Sequence, residues 1–199
     1  IIHSPEARDA LRLLQARDFD VVITMARVGE MDVNAFGIEA KKISAGLPVM
    51  MISHNTRELA GLSAGEGIDR IFVWTGDSRI LLSICKLIED ERNVENDVRD
   101  GDVQVILLVE DSRRFYSAYL PLLYTQLVNQ TTRLMGEGGN LHEKLLRLRA
   151  RAKILLASDM DSAKTIINRY QKNLIGVFTD GRFPNEGGNR DTAGLELVR

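Results

Sequence analysis

Three carboxylates carry the most specific chemistry in this chain. Glu110 and Asp111 directly follow the apolar run 103–109 (VQVILLV), and Asp180 directly follows the run 174–179 (LIGVFT). Both runs are rich in β-branched residues and read as strands buried on both faces of a parallel sheet. If they are neighbours, the three acids converge at the carboxyl edge, where open α/β sheets bind ligands. Like charges held together raise one another's pKa unless a cation neutralises them. A hard divalent ion does this, and Mg²⁺ needs only a few carboxylates because it keeps several waters. The expectation is an Mg²⁺ pocket that also accepts a phosphoryl group.

The elements that must position these acids alternate along the chain. Residues 1–2 read as a strand tail, and Ser4-Pro5-Glu6 as the start of a helix with Ala7, Ala10, Leu11 and Leu14 on its apolar face. Strands are expected over 20–25 (DVVITM), 47–53 and 68–75, with helices over about 33–45 and 56–64 between them. Asp77 then caps a long helix through Ile80, Leu81, Ile84, Leu87 and Ile88. In the segment 89–102, nine of fourteen residues are charged. A solvated linker helix is the reading preferred there over a coiled coil.

The alternation restarts with strands over 103–109, 153–157 (KILLA) and 174–179, and with a helix capped by Asp159 or Asp161 between the last two. The stretches 9–25 and 165–180 share one pattern, an apolar helix face, a polar turn and a buried strand, which reads as an internal repeat. The gap from Glu110 to Lys153 is about twice what one crossover helix needs. It carries a stripe of Tyr116, Leu120, Leu123 and Leu127 with Phe115 and Tyr119 beside it, expected as packing surface rather than a ligand cage. Gly136, Gly138 and Gly139 break that helix, and 140–151 suggests another. The basic run Lys144, Arg147, Arg149, Arg151 and Lys153 reads as a solvated helix face.

Composition narrows the function classes. The chain has 199 residues, 44% hydrophobic and 27% charged, with a net charge of −2. Length allows two domains of about 100 residues. One cysteine, Cys85, excludes an internal disulfide, and three scattered histidines argue against a His-rich metal centre. Near-neutral charge argues against nucleic-acid wrapping. No apolar run has the roughly 18 to 20 residues of a membrane span, and no signal-peptide pattern opens the chain, so a cytoplasmic, non-membrane protein is expected. The opening Ile1-Ile2, without methionine, reads as the start of a fragment.

VILLVEDS together with VFTDGRFP resembles the receiver domain of two-component response regulators, the CheY-like fold. The resemblance implies an α/β, flavodoxin-like, doubly wound parallel sheet in two tandem modules, both incomplete here, with a helical insertion at 112–152 in the second. It implies a degenerate module over 1–88, a charged linker over 89–102 and a receiver over 103–199. Carried over, Glu110 and Asp111 are the Mg²⁺-binding pair and Asp180 is the phospho-acceptor. The backbone carbonyl of Arg182 is a further metal ligand, Pro184 matches the following loop and 194–199 the following helix. In the first module Met25 stands at the acceptor position, Ser53 at the switch hydroxyl and Trp74 at the lysine position, so that module is expected to be mute to phosphorylation.

The implied role is a signalling segment, not an enzyme, phosphorylated by a histidine kinase or phosphotransfer protein; a homodimer is also admitted. A narrower resemblance, through VWTGDSRILL, LVEDSRRFYSAYLPLLYTQL and GRFP, is to the N-terminal region of bacterial proteins with a downstream PEP/pyruvate-binding domain related to pyruvate phosphate dikinase. The rivals are a docking module for such an enzyme and an Mg²⁺-dependent phosphohydrolase with Asp180 as nucleophile.

Overall fold

The computed structural model describes residues 1–54, 64–135, 151–185, 188–190 and 193–197. The expected helices over 56–64 and 140–151 lie almost wholly outside the described residues. The chain divides into two compact units, Ile1–Ser78 and Arg79–Arg199. Both are α/β with a three-stranded parallel sheet, an architecture compatible with a flavodoxin-like fold.

The first unit opens with helix α1 (Ala7–Ala16), then strand β1 (Val22–Thr24). A two-residue turn joins β2 (Arg27–Val28) to β3 (Met31–Asp32), with Gly29 at φ +60°, a conformation glycine adopts without strain. Helix α2 (Val33–Ile43) follows, then β4 (Val49–Ser53) and β5 (Arg70–Val73). The sheet order is β1-β4-β5, all parallel. Asp32 starts α2 by accepting the Asn34 and Ala35 N–H groups at 2.9 and 3.3 Å. The expected cap of α1 is not formed. The Ser4 hydroxyl donates to the Glu6 carbonyl instead, and the helix begins at Ala7 with no side-chain cap. Residues 1 and 2 join no strand.

The second unit begins with α3 (Arg79–Gly101) and continues with β6 (Val105–Val109) and α4 (Arg113–Met135). After β7 (Lys153–Ala157) come α5 (Met160–Tyr170), β8 (Leu174–Thr179), the antiparallel ribbon of β9 (Phe183–Asn185) and β10 (Gly188–Arg190), and the short α6 (Ala193–Leu197). The sheet order is β7-β6-β8, all parallel, with β6 in the centre. Of the two aspartates considered, Asp159 caps α5 through the Ser162 N–H at 2.8 Å. Val105, Leu107, Val109, Leu155, Met160 and Phe183 form the core on one face.

The expected linker over 89–102 is not what forms. These residues belong to one continuous helix that packs on α4 and β7 inside the second unit, and the chain divides after Ser78 rather than after residue 88. The reason is a buried charge cluster. Asp90 is fully buried and accepts from Arg151 Nη1 and Nη2 at 3.0 and 2.7 Å, from the Tyr124 hydroxyl at 3.0 Å and from the Ile154 N–H at 3.0 Å. Lys153, also buried, pairs with Asp97 at 2.6 Å. Arg151 and Lys153 are therefore interior groups, contrary to the solvated face expected for their basic run. Lys144, Arg147 and Arg149 lie outside the described residues. Among the described residues no helix is long and apolar enough to cross a membrane.

Candidate functional site

The register of the second sheet places the acids. Val109 on β6 lies opposite Thr179 on β8 and Ala157 on β7, so both chains leave the sheet at one level. The Asp180 N–H extends the ladder to the Val109 carbonyl at 3.2 Å, and the Glu110 N–H to the Ala157 carbonyl at 2.9 Å. Glu110 and Asp180 thus sit one residue past adjacent strand ends. The adjacency assumed from the sequence is the one found.

The side chains differ in surroundings. Glu110 is only 3% exposed, and its Oε1 accepts the Ser112 N–H at 3.0 Å. Burial pushes its carboxyl upward, the negative charges of Asp180 and Asp111 add to this, and the Ser112 N–H opposes it. Asp111 is also raised, by burial first and by Asp180 after it, against backbone N–H bonds at Asp111 and Ser112. Asp180 is exposed, and its Oδ1 accepts the Gly181 N–H at 2.6 Å. None of the three pairs with a described lysine or arginine. Arg182, the expected carbonyl ligand, is exposed two residues beyond Asp180.

Among the described residues no group of three or more His, Cys, Asp or Glu side chains is arranged to hold one metal ion. The acids share an edge without closing into a direct three-carboxylate cage. The donor chemistry nevertheless fits Mg²⁺, which takes one or two carboxylates and completes its shell with water. Burial is the first cause of the upward shifts of Glu110 and Asp111, and the repulsion between the acids that adds to it is what such a cation relieves.

The raised carboxyls make stability depend on pH. Because the folded-state pKa of Glu110 lies above its ordinary value of 4.5, the folded chain holds that proton more tightly than the unfolded chain. Ionised Glu110 therefore destabilises the fold fully above the raised pKa, and the penalty vanishes as pH falls below about 4.5. Glu110→Gln, which keeps an acceptor for the Ser112 N–H, is expected to raise the melting temperature at pH 7 and to leave it unchanged at pH 4. Thermal unfolding at the two pH values tests this; an equal shift at both would show that charge is not the cause.

Several contacts at the site carried no sequence signal. The Thr179 hydroxyl donates to the Asp180 carbonyl at 2.8 Å. Gly194, at the start of α6, comes so close that a Cβ there would stand 2.5 Å from the Asp180 carbonyl oxygen. Only glycine lets the helix approach the Asp180-Gly181 turn in this way. The stripe on α4 is divided: Tyr116, Leu120 and Tyr124 are buried, whereas Phe115 and Tyr119 open to a cavity of about 570 Å³ that Glu110 and Asp180 also line. In the first unit Met25 is 42% exposed, Ser53 is buried, and Trp74 meets His54 edge to face at 5.8 Å.

Comparison with known proteins adds no relative: no family model, no curated protein and no solved structure matches this chain.

Proposed function

We propose that the second unit is a phospho-receiver of a two-component or phosphorelay system. Asp180 is the acceptor, and Glu110, Asp111, Asp180 and the Arg182 carbonyl are the positions that would hold Mg²⁺. The donor is a histidine kinase or phosphotransfer protein. On this reading the chain is a regulatory segment of two tandem receiver-like modules, without a substrate of its own. The first unit is a non-phosphorylatable interaction module, since the thioether of Met25 neither accepts a phosphoryl group nor binds Mg²⁺ well.

The observation that carries this reading is the register that sets Asp180 after β8 and Glu110-Asp111 after β6, at one edge and with no described cation beside them. The order β7-β6-β8 supports it, because it corresponds to the 2-1-3 portion of the flavodoxin-like order.

The chemistry follows from the side chains. The Gly181 N–H holds Oδ1 of Asp180, and the other carboxylate oxygen takes no hydrogen bond from the described residues. That oxygen forms a bond to phosphorus as the phosphorus–nitrogen bond of a phosphohistidine breaks, and the imidazole departs with a proton. Exposure of Asp180 gives the donor access. Bound Mg²⁺ would offset the charge of the carboxylates and of the incoming phosphoryl group. The Ser112 N–H holds Oε1 of Glu110 and so fixes that carboxyl at the metal side.

The test is incubation with acetyl phosphate and Mg²⁺, read by intact mass. One phosphoryl group is expected on the chain and none on Asp180→Asn, with Asp111→Asn losing the Mg²⁺ dependence. An adduct that survives in Asp180→Asn, or no adduct at any Mg²⁺ concentration, overturns the assignment. Multiple turnover of phosphate esters would instead favour a phosphohydrolase, and an inert Asp180 a docking module.

A further inference from the structure

The cavity beside Asp180 has a wall and an end of different character. The wall is apolar: Leu108, Phe115, Tyr119, Leu122 and Phe178 line it, and the last four are 46%, 41%, 53% and 50% exposed. Phe115 and Tyr119 lie nearly parallel as a stacked pair, at 11° with centroids 6.1 Å apart. Large apolar side chains left half open in one concavity mark a binding surface rather than ordinary exposure. The volume, about 570 Å³, is that of a small-molecule site.

The end of the cavity is acidic. Glu110 keeps only 3% of its surface exposed, and among the described residues its one hydrogen-bond donor is the Ser112 N–H. Among the described residues none donates a hydrogen bond to its other oxygen, and no lysine or arginine stands against Glu110 or Asp180. A nearly buried carboxylate without a counter-charge is costly, and a cationic donor lowers that cost.

We propose that this cavity binds a small organic cation, an ammonium group carried on an aromatic or branched-alkyl body. The ammonium meets Glu110 and Asp180, and the body lies on Phe115, Tyr119 and Phe178. Aromatic faces attract a cation as well as its apolar stem, so the two ends of the cavity act together. Other ligand classes satisfy only one part. An uncharged apolar molecule covers the walls and leaves Glu110 desolvated, an anion is repelled, and a hydrated metal ion leaves the rings uncovered. The proposal uses the acidic edge but does not depend on phosphoryl transfer to Asp180.

The experiment is a titration of the chain, without Mg²⁺ or phosphodonor, with phenethylammonium, phenethyl alcohol and phenylacetate, read by the aromatic ring resonances of Phe115, Tyr119 and Phe178. Phenethylammonium is expected to saturate these signals. The alcohol should bind at least about tenfold more weakly, as the loss of a charged hydrogen bond implies, and phenylacetate not at all. Glu110→Gln should weaken the ammonium and narrow its advantage over the alcohol, the remainder resting on Asp180. Equal affinity of ammonium and alcohol, failure to saturate, or shifts that fall on rings outside the cavity would each overturn the proposal. The ligand pair is compared on the unaltered chain, so the result does not hinge on a variant's folding. Failure here leaves Asp180 as acceptor untouched, and a chain that is never phosphorylated can still bind the cation.

Discussion

Asp90→Leu is expected to cost the second unit about 3 to 5 kcal/mol of stability, the range for breaking a buried ion pair by removing one partner. The carboxylate it removes has no exposure and takes four hydrogen bonds, two from Arg151 and one each from Tyr124 and the Ile154 N–H. Leucine fills a similar volume but satisfies none of these donors. It leaves the Arg151 guanidinium, 8% exposed, without its buried carboxylate partner, and Lys153, 2% exposed, with Asp97 alone on the shorter of its two contacts.

The same carboxylate sets the ionisation of its neighbours. Burial raises Tyr124 far above the ordinary phenol range, and the charge and hydrogen bond of Asp90 add to this. For Arg151 burial acts downward, and the hydrogen bond and charge of Asp90 outweigh it. All four tyrosines, Tyr116, Tyr119, Tyr124 and Tyr170, lie in the second unit, so tyrosine near-ultraviolet dichroism during urea unfolding reads its stability. A loss under about 1 kcal/mol would place Asp90 with weakly coupled surface pairs instead. A large loss would show that α3 is held as part of this unit rather than as a connector beside it.

Gly37→Ala is expected to destabilise the first unit by about 3 kcal/mol, at the upper end for overpacking. The sign opposes local propensity, since alanine inside a helix is ordinarily better than glycine by about 1 kcal/mol. Gly37 lies inside α2, and a Cβ there would stand 1.9 Å from the Gly67 carbonyl oxygen and 2.6 Å from its carbon. The approach is mutual, because a Cβ on Gly67 would stand 2.2 Å from the Asn34 carbonyl oxygen. These are backbone atoms, so no side chain can swing aside. The turn carrying Gly67 is also tied down: Gly65 and Ile68 exchange backbone hydrogen bonds at 3.2 Å, and Ile68 is buried in the core. Asp69, next along, accepts the Val49 N–H at 2.7 Å and the Lys41 ammonium at 2.8 Å. The chain's one tryptophan, Trp74, lies in this unit and its fluorescence follows unfolding. Gly46→Ala is the control, because nothing lies within 4 Å of the added methyl, and it should be neutral or slightly stabilising. Equal behaviour of the two variants would mean that α2 and the turn can move apart without cost.

Much of the route to the site is legible in the amino-acid sequence. The strands 153–157 and 174–179 stand at the expected residues, because a parallel strand is written as a short continuous apolar run. Only the first is buried throughout; the second, at the end of the order β7-β6-β8, leaves Ile175 and Phe178 exposed, contrary to the two-faced burial its apolar run suggests. Asp32 and Asp159, acids just ahead of helices, cap them through backbone N–H groups one turn ahead or less. Glu110, Asp111 and Asp180 stand out for a related reason: a residue that follows a parallel strand is delivered to the carboxyl edge by topology alone.

The strands, their caps and the acids at strand ends are thus local outcomes, settled within a few residues of chain. The rest was settled by contacts between distant segments. The run 89–102 has the composition of a solvated helix because composition counts charges and not their partners, yet the partner of Asp90 is 61 residues away at Arg151. Arg151 and Lys153 read as solvent-facing for the same reason. The division of the α4 stripe into buried Tyr116 and open Phe115 and Tyr119 depends on how α4 packs against segments distant in the chain, α3 among them. The approach of Gly37 to Gly67 depends on two backbones meeting 30 residues apart. Burial of a charge or of a bare backbone is stable only when a distant segment meets it, and no pattern within a single segment records that meeting.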